Sequence, residues 1–216
     1  MRKKELALKV VEALEGLYPD AKCSLEYSDP FQLLVATRLS AQCTDARVNL
    51  VTPALFKKYP TAYDLAKADI TDVEELIKSC GLYKTKAKDL ISMSKAICEN
   101  FGGKVPDTIE ELTTLSGVGR KTANLICGDI FKKPAVVTDT HFIRLCNRLK
   151  LVDTTDPKKV EDEMRKLLPE EKSSDFCHRT VIFGRDICTA RKADCLRCPM
   201  DGFCPKNIKY AKGKKA

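Results

Sequence analysis

The sequence lacks any hydrophobic run long enough to span a bilayer. Its longest uninterrupted apolar stretches, such as residues 33–36, fall far short of the roughly 18 residues that a spanning helix needs. The N-terminus begins with basic residues, as a signal peptide does, but Lys9, Glu12 and Glu15 interrupt the apolar stretch that must follow. We therefore expect a soluble, cytoplasmic protein without membrane association.

Strand patterns and histidines are also scarce. Residues 135–137 form the best β-strand candidate and are too short to build a sheet. Elsewhere apolar residues recur at three- and four-residue steps, as in amphipathic helices, and no solenoid repeat is present. With only His141 and His178, nothing supports a Ser/His/Asp or Cys/His nucleophile system. The predicted fold class is all-α with short connections, and 216 residues suit one domain or two small ones.

Local signals place most of the predicted helices. Asp29 followed by Pro30 marks one helix start, and Gly102-Gly103 closes the longest helix. The predicted helices cover residues 5–17, a segment from Pro30, 86–101, a segment from Asp107, 139–149, 156–168 and 174–187.

Cysteine is present in excess. Of the 11 cysteines, four fall in one 17-residue window, where the average density predicts about one. Because disulfides are disfavoured in a reducing cytosol, the cluster indicates metal or redox chemistry. Tetrahedral zinc and a 4Fe–4S cluster are both chemically possible, and the uneven spacing favours iron–sulfur slightly. The four are Cys188, Cys195, Cys198 and Cys204; most of the other seven are expected to be inert core residues.

A glycine turn, Gly117-Val118-Gly119, lies between two predicted helices. A Gly-x-Gly arises by chance about once in two chains of this composition, so the motif alone is weak. Two glycines permit a tight turn and the close approach of a ligand to the backbone. A helix that starts just after them would favour binding of an anion at its N-terminus. The residues fit a phosphate site and an ordinary helical corner equally well. A P-loop is excluded because Arg120 separates Gly119 from Lys121 and no strand precedes the turn.

Five segments together resemble the endonuclease III family of DNA glycosylases, over nearly the whole chain. Two departures are visible: Ser116 stands where Pro is usual, and Cys43 where Ala is common. The first is expected to loosen the entry to the hairpin slightly. The segments are residues 39–45 (LSAQCTD), 81–83 (GLY), 115–123 (LSGVGRKTA), 139–141 (DTH) and the four clustered cysteines.

The resemblance implies a helix-hairpin-helix DNA glycosylase fold in two parts, with the substrate in the cleft between them. A six-helix domain would span residues 22–132, with the hairpin motif at about 108–131. A four-helix iron–sulfur domain would combine residues 1–21 and 133–216. It further implies a monomer, associated with the nucleoid in a prokaryote, that acts on double-stranded DNA. Its substrates would be damaged, oxidised pyrimidines, which it removes, and abasic sites, where it cleaves the strand.

The resemblance also assigns roles to single residues. Lys121 matches the family's Schiff-base nucleophile, and Asp139 its catalytic carboxylate. Gln42 and Leu82 match residues that fill the space left by the extruded nucleotide. The cluster ligands would be Cys188, Cys195, Cys198 and Cys204. Further DNA contacts are expected from Gly117, Val118, Gly119, Arg120, His141, Arg191, Lys192 and Arg197.

The catalytic residue types suit this chemistry. A lysine nucleophile must be partly deprotonated, so the pKa of Lys121 would have to be lowered by burial or by a neighbouring cation such as Arg120. Asp139 would stabilise positive charge at C1′ or assist proton transfer, and it is equally suited to cap the helix that follows. His141 would contact a phosphate or make a structural hydrogen bond.

The two space-filling residues have plainer alternatives. The Gln42 amide would hydrogen-bond the orphaned base, and Leu82 would act as an apolar wedge during the extrusion that a glycosylase requires. A solvent-facing glutamine and a core leucine are the structural alternatives.

Three functions remain open from the residues. A bifunctional glycosylase/lyase is favoured because relatives that only remove bases generally lack the lysine found at position 121. A monofunctional mismatch or uracil glycosylase would release the base and leave the strand intact. A metal-stabilised DNA-binding protein or redox-responsive regulator would use the hairpin only as a phosphate clamp.

The net charge of +8 is unevenly placed. Residues 188–216 hold eight basic and two acidic residues, and so carry +6 of it. The cluster-loop residues Arg191, Lys192 and Arg197 are expected to face phosphate and to make binding sensitive to salt. The basic residues near the C-terminus are interpreted as a solvated tail: Lys212, Lys214 and Lys215.

Overall fold

The computed structural model describes residues 2–206, which form eleven α-helices and two short 3₁₀ helices. These residues contain no strand, only one isolated β-bridge between Cys188 and Ala193, so the predicted all-α fold class is confirmed. The α-helices are α1 (Lys3–Leu17), α2 (Pro30–Ser40), α3 (Asp45–Lys58), α4 (Ala62–Ala66), α5 (Ile70–Ile77), α6 (Tyr83–Phe101), α7 (Ile109–Leu112), α8 (Arg120–Asp129), α9 (Thr140–Arg148), α10 (Pro157–Leu167) and α11 (Ser173–Asp186). The 3₁₀ helices are Lys78–Cys80 and Glu170–Lys172.

Side-chain caps set the helix starts that the sequence marks. The Asp29 carboxylate accepts a hydrogen bond from the Gln32 N–H at 2.9 Å, and Pro30 opens α2. The Asp156 carboxylate caps α10 in the same way, accepting from the Lys159 N–H at 2.8 Å. Each cap satisfies a backbone donor that the helix itself leaves unpaired.

Helix α6 begins at Tyr83, earlier than the predicted start at residue 86. Gly81 and Leu82 both adopt positive φ, 64° and 47°, and this reversal of the chain allows the helix to start immediately afterwards. The predicted end is confirmed: Gly102 closes α6 in the left-handed conformation, φ 58°.

The chain divides into two compact units. One contains the chain up to Lys22 and from Lys132 onward, with helices α1, α9, α10 and α11 in its described part. The other spans Cys23–Phe131 and contains α2 to α8.

The unit Cys23–Phe131 is organised around α2 and α6. Leu34 and Leu39 of α2 and Leu90 and Ile97 of α6 are completely buried. Burial of each such side chain stabilises the fold by about 1.5–3 kcal/mol. Helix α6 also packs against α4 and α5.

The unit containing α1 and α9–α11 has an aromatic and an ionic contact between its helices. The rings of Phe142 on α9 and Phe176 on α11 meet edge to face, with centroids 5.8 Å apart. The buried Arg179 guanidinium of α11 donates to the Tyr18 carbonyl at 3.1 Å and to the Glu15 carboxylate at 3.3 Å. These contacts fix α11 against both α9 and α1.

Two sequence expectations concern the chain's exterior. Within residues 2–206, no helix combines the length and the apolar character that crossing a membrane requires. The tail residues Lys212, Lys214 and Lys215 lie outside the described residues.

Candidate functional site

A helical hairpin is formed by α7, the Gly117-Val118-Gly119 turn and α8. Val118 is buried, its N–H donates to the Leu115 carbonyl at 3.1 Å, and the two glycines are exposed. Gly119 occupies the N-cap position of α8 and provides no capping side chain. The start of α8 therefore keeps the positive end of its dipole available to an anion.

The hairpin is anchored through Gly117, Arg38 and Asp89. Gly117 adopts φ 73°, and a Cβ there would lie 2.4 Å from Arg38 Nε and 2.7 Å from its Cδ. The Asp89 carboxylate accepts from Arg38 Nε at 2.9 Å through one oxygen and from the Ser116 hydroxyl at 2.9 Å through the other. From the sequence, Ser116 is expected to loosen the entry to the hairpin. In the structure its hydroxyl instead holds this entry to Asp89 through a hydrogen bond.

Arg38 and Asp89 are not recognisable as hairpin residues from the sequence. They lie 51 positions apart in the chain, and neither belongs to a short motif with Gly117. Only the packing of α2 and α6 beneath the turn reveals their role.

Lys121 is exposed in the first turn of α8, directly after the glycine turn. Arg120, beside it, is also exposed. A lysine here presents its amine to solvent at a helix start. It is thus accessible to a large substrate.

Gln42 and Leu82 share an unusual geometry. Both adopt left-handed backbone conformations, with φ of 55° and 47°, and both are exposed, Leu82 by 59%. Non-glycine residues with positive φ are uncommon and often mark functional positions. The alternative of a core leucine at position 82 is wrong.

Asp139 caps α9, as one of its two interpretations predicts. Its Oδ1 accepts from the Phe142 N–H at 2.7 Å, and the side chain is half-buried. Capping holds the carboxylate at the helix N-terminus, where the dipole favours its negative charge.

His141 has structural contacts on the same helix. Its Nδ1 lies 3.1 Å from an Arg144 guanidinium nitrogen, which makes it the acceptor of that hydrogen bond. Burial lowers the pKa of His141, and Arg144 and Arg185 add to this effect against the opposing charge of Asp139. These contacts supply the structural role that the sequence left open.

The four clustered cysteines line one cavity in the unit that contains α9 and α11. Its apolar walls include Leu145, Phe183 and Met200. Burial and the neighbouring thiols raise the pKa of two of these cysteines. Among the described residues, no three His, Cys, Asp or Glu side chains are grouped closely enough to hold a single metal ion. The four cysteines that line the cavity are Cys188, Cys195, Cys198 and Cys204. The two whose pKa is raised are Cys198 and Cys204.

Arg148, which no sequence motif marks, organises the cysteine loop. It is almost completely buried. Its guanidinium donates to Cys188 Sγ at 3.0 Å and to the carbonyls of Cys188, Thr189 and Ala190 at 2.9–3.1 Å. Through these hydrogen bonds Arg148 ties α9 to the cysteine loop.

Most of the other seven cysteines are buried, as predicted. Four of the seven are buried, namely Cys80, Cys127, Cys146 and Cys177. The remaining three are half-buried: Cys23, Cys43 and Cys98. Burial raises the pKa of Cys146 well above its usual range, as expected for an inert core thiol.

The basic residues of the cysteine loop are exposed but not equivalent. Arg191 and Lys192 extend from the surface. Arg197 makes ion pairs with Asp194 at 2.8 Å and Asp186 at 3.3 Å, and these carboxylates raise its pKa. A phosphate would have to compete with two carboxylates for Arg197.

Known proteins match this chain over most of its length. Residues 35–170 match the HhH-GPD superfamily base excision DNA repair protein model. An endonuclease III from Synechocystis is 48% identical over 204 residues, which cover 94% of this chain and 93% of the relative.

Two solved structures are similar at 38% identity, each with a TM-score of 0.89. One is a non-covalent endonuclease III–DNA complex, matched over 95% of this chain and 97% of that one. The other is a trapped endonuclease III–DNA covalent intermediate, an estranged-adenine complex, matched over 98% and 100%. This chain belongs to the endonuclease III family within the HhH-GPD superfamily of base excision DNA repair proteins.

Proposed function

We propose that the protein is a DNA glycosylase with AP lyase activity that removes oxidised pyrimidines from duplex DNA. The observation that carries the proposal is the exposed Lys121 at the start of α8, directly after the glycine turn. A covalent intermediate trapped on DNA in a structural relative is what an amine nucleophile would leave.

Lys121 would act through its neutral amine. The nitrogen attacks C1′ of the damaged nucleotide, and the C1′–N bond to the base breaks as the base leaves with its electron pair. Loss of a proton and opening of the sugar give an imine at C1′. The imine acidifies the C2′ proton, whose removal expels the 3′ phosphate by β-elimination and cleaves the strand.

Asp139 would supply the negative charge for these steps. Its carboxylate stabilises positive charge developing at C1′ or accepts and returns protons. The 2.7 Å hydrogen bond from the Phe142 N–H fixes its orientation beforehand, so less reorganisation is needed as the charge develops.

Duplex binding would use the hairpin and two exposed turns. The start of α8 and the backbone at Gly117 and Gly119 would bind a phosphate. Gln42 and Leu82 would occupy the space left by the extruded nucleotide, Gln42 by hydrogen-bonding the orphaned base and Leu82 as a wedge. Their exposure supports both roles. Further DNA contacts are proposed for Arg120, His141, Arg191, Lys192 and Arg197.

The cysteine cavity would hold a 4Fe–4S cluster. Four thiols around an apolar cavity, with Arg148 donating to Cys188 Sγ at 3.0 Å, fit a thiolate-ligated group. The uneven spacing of the four cysteines favours an iron–sulfur cluster slightly over one zinc ion. When bound, the cluster would cross-link the loop. Its ligands would be Cys188, Cys195, Cys198 and Cys204.

Borohydride trapping tests the nucleophile. Wild-type protein incubated with a thymine-glycol duplex and borohydride should form a covalent adduct, and Lys121→Ala should form none. Lys95→Ala, which removes another exposed lysine, should trap as wild type does. Absence of the wild-type adduct would refute the lyase activity, and trapping by Lys121→Ala would refute the assignment.

Product analysis separates the alternative functions. Free base released with the strand intact until alkaline heating would indicate a monofunctional glycosylase. Binding without turnover on every damaged duplex would indicate a DNA-binding regulator. For the cofactor, iron and inorganic sulfide in equal amounts are expected; a colourless, zinc-containing protein would overturn the cluster assignment.

A further inference from the structure

Lys86 is completely buried in the first turns of α6. Its Nζ donates to the Leu39 carbonyl at 2.7 Å and to the Cys80 carbonyl at 2.6 Å. A buried ammonium is costly unless strong acceptors replace its lost water. Both acceptors here are backbone atoms, so this lysine is held by two chain segments and not by a carboxylate.

The two carbonyls belong to the turns that present Gln42 and Leu82. Leu39 lies in the last turn of α2, three positions before Gln42. Cys80 ends the 3₁₀ helix Lys78–Cys80, two positions before Leu82. Carbonyls at helix ends have no intrahelical partner, and one ammonium satisfies one carbonyl from each element. The donor thereby ties together two segments that are distant in sequence.

We propose that Lys86 is the positioning residue that sets the separation and orientation of the Gln42 and Leu82 turns, so that both side chains enter an opened duplex together. This inference rests on the proposed function. The inference is based on the two hydrogen bonds from Lys86 Nζ. These bonds would hold in place the left-handed backbone at Gln42 and Leu82.

The strain at the two turns explains why a rigid connection is required. A non-glycine residue in a left-handed conformation is held there only by its surroundings. Without the ammonium, the turns would still be joined to α2 and α6, but neither terminal carbonyl would have its donor. The turns would then relax independently, and a misplacement of about 1 Å in positioning groups costs up to about a hundredfold in rate.

The surroundings of Lys86 act on its charge from several directions. Burial lowers the pKa of Lys86, and the positive charge of Arg38 lowers it further. The Cys43 and Cys80 thiols act in the opposite direction and raise it. An apolar side chain of the same length would remove the cost of burying a charge and would still fill the space. What it would lose is the connection between the two turns, and this difference can be measured.

The test compares two substrates under single-turnover conditions at saturating protein. One is a duplex containing thymine glycol, which requires extrusion and filling of the vacated space. The other is an abasic site in a single-stranded oligonucleotide, which requires the Lys121 amine but has no stacked duplex to open. The ratio of the two rates reports the contribution of the turns.

Lys86→Met keeps the length of the side chain and removes its donors. The duplex rate should fall by about tenfold to a hundredfold, while the single-strand rate stays within about twofold of wild type. Lys86→Arg, which keeps the donors, should restore most of the ratio. The emission of 2-aminopurine placed opposite the lesion should rise less with Lys86→Met than with wild type, because the estranged base stays stacked.

Ile97→Ala is the matched control, since Ile97 is buried in the same helix and contacts neither turn's carbonyl through a hydrogen bond. It should leave the ratio of rates unchanged even where it lowers thermal stability. If Lys86→Met does not fold, Lys86→Gln replaces it, because its shorter amide reaches at most one of the two carbonyls.

The outcomes are distinguishable. A wild-type ratio in the folded Lys86 variants, or an equal change in Ile97→Ala, would overturn the positioning role while the proposed function stands. A wild-type protein inactive on both substrates would overturn the proposed function, and this inference with it.

Discussion

The replacement Gly117→Ala tests how the hairpin is held. Gly117 adopts φ 73°, and an added Cβ would lie 2.4 Å from Arg38 Nε, 2.7 Å from Arg38 Cδ and 3.1 Å from Asp89 Cβ. The two distances to Arg38 are too short to be tolerated, and the third is tight, so either the turn or Arg38 must move. Arg38 is held in an ion pair with Asp89, and the two side chains are only 14% and 20% exposed.

The magnitude follows from two costs. A non-glycine residue in the left-handed region costs about 1–2 kcal/mol. Displacing Arg38 weakens a charged, partly buried hydrogen bond worth about 1.5–3 kcal/mol. Gly117→Ala should therefore reduce the free energy of unfolding by about 2.5–5 kcal/mol, which is a large fraction of the stability of a typical protein.

Gly119→Ala is the control with the same chemical change two positions away. Gly119 has φ −92°, and no atom lies within 4 Å of the position that an added Cβ would take. Its cost is limited to the poorer N-cap, less than about 1 kcal/mol. Urea unfolding followed by far-ultraviolet circular dichroism compares the two variants. If Gly117→Ala loses no more stability than Gly119→Ala, the steric argument fails.

Three further predictions concern other parts of the chain. Asp139→Asn should keep the helix cap, because Asn caps as well as Asp, yet lower the strand-cleavage rate by about 10²–10⁴-fold. Gly184→Ala should lower the free energy of unfolding by about 1–3 kcal/mol, because the added Cβ would lie 2.7 Å from His141 Nδ1. Gly16→Ala should raise the free energy of unfolding by about 0.5–1 kcal/mol, because no atom lies within 4 Å of the added Cβ. The hydrogen bond to Asp72 raises the pKa of Tyr59 to about 12, so its stabilisation is present below pH 10 and lost as the pH rises towards 12.

Each of these has its own measurement. For Asp139→Asn, single-turnover strand cleavage and thermal unfolding are compared with Asp139→Ala, which also loses the cap; a fully active Asn variant would exclude a role for the charge. The two glycine variants are compared by urea unfolding, and equal effects would contradict the packing at Gly184. Tyrosinate absorbance is measurable because the chain has no tryptophan. Tyr59→Phe should remove one tyrosinate step near pH 12, and removal of a step near pH 10 instead would contradict the hydrogen bond.

Local chemistry explains what the sequence revealed about the fold. Asp29, Asp139 and Asp156 each cap a helix through an N–H three positions away, so their signal lies within one turn of the chain. Gly102 ends α6 for a comparably local reason. The predicted start of α6 is wrong because the observed start depends on left-handed backbone at Leu82, which a leucine does not indicate.

The sequence by itself determined the all-α fold class, the hairpin glycines and the position of Lys121, because periodicity, capping and motif spacing involve neighbouring residues. The tertiary structure alone decided that Leu82 is exposed. It also brought Arg38 to Asp89 and Lys86 to the Leu39 carbonyl, across 51 and 47 positions. Such contacts pair a side chain with a partner that only packing brings near, and no local pattern encodes them.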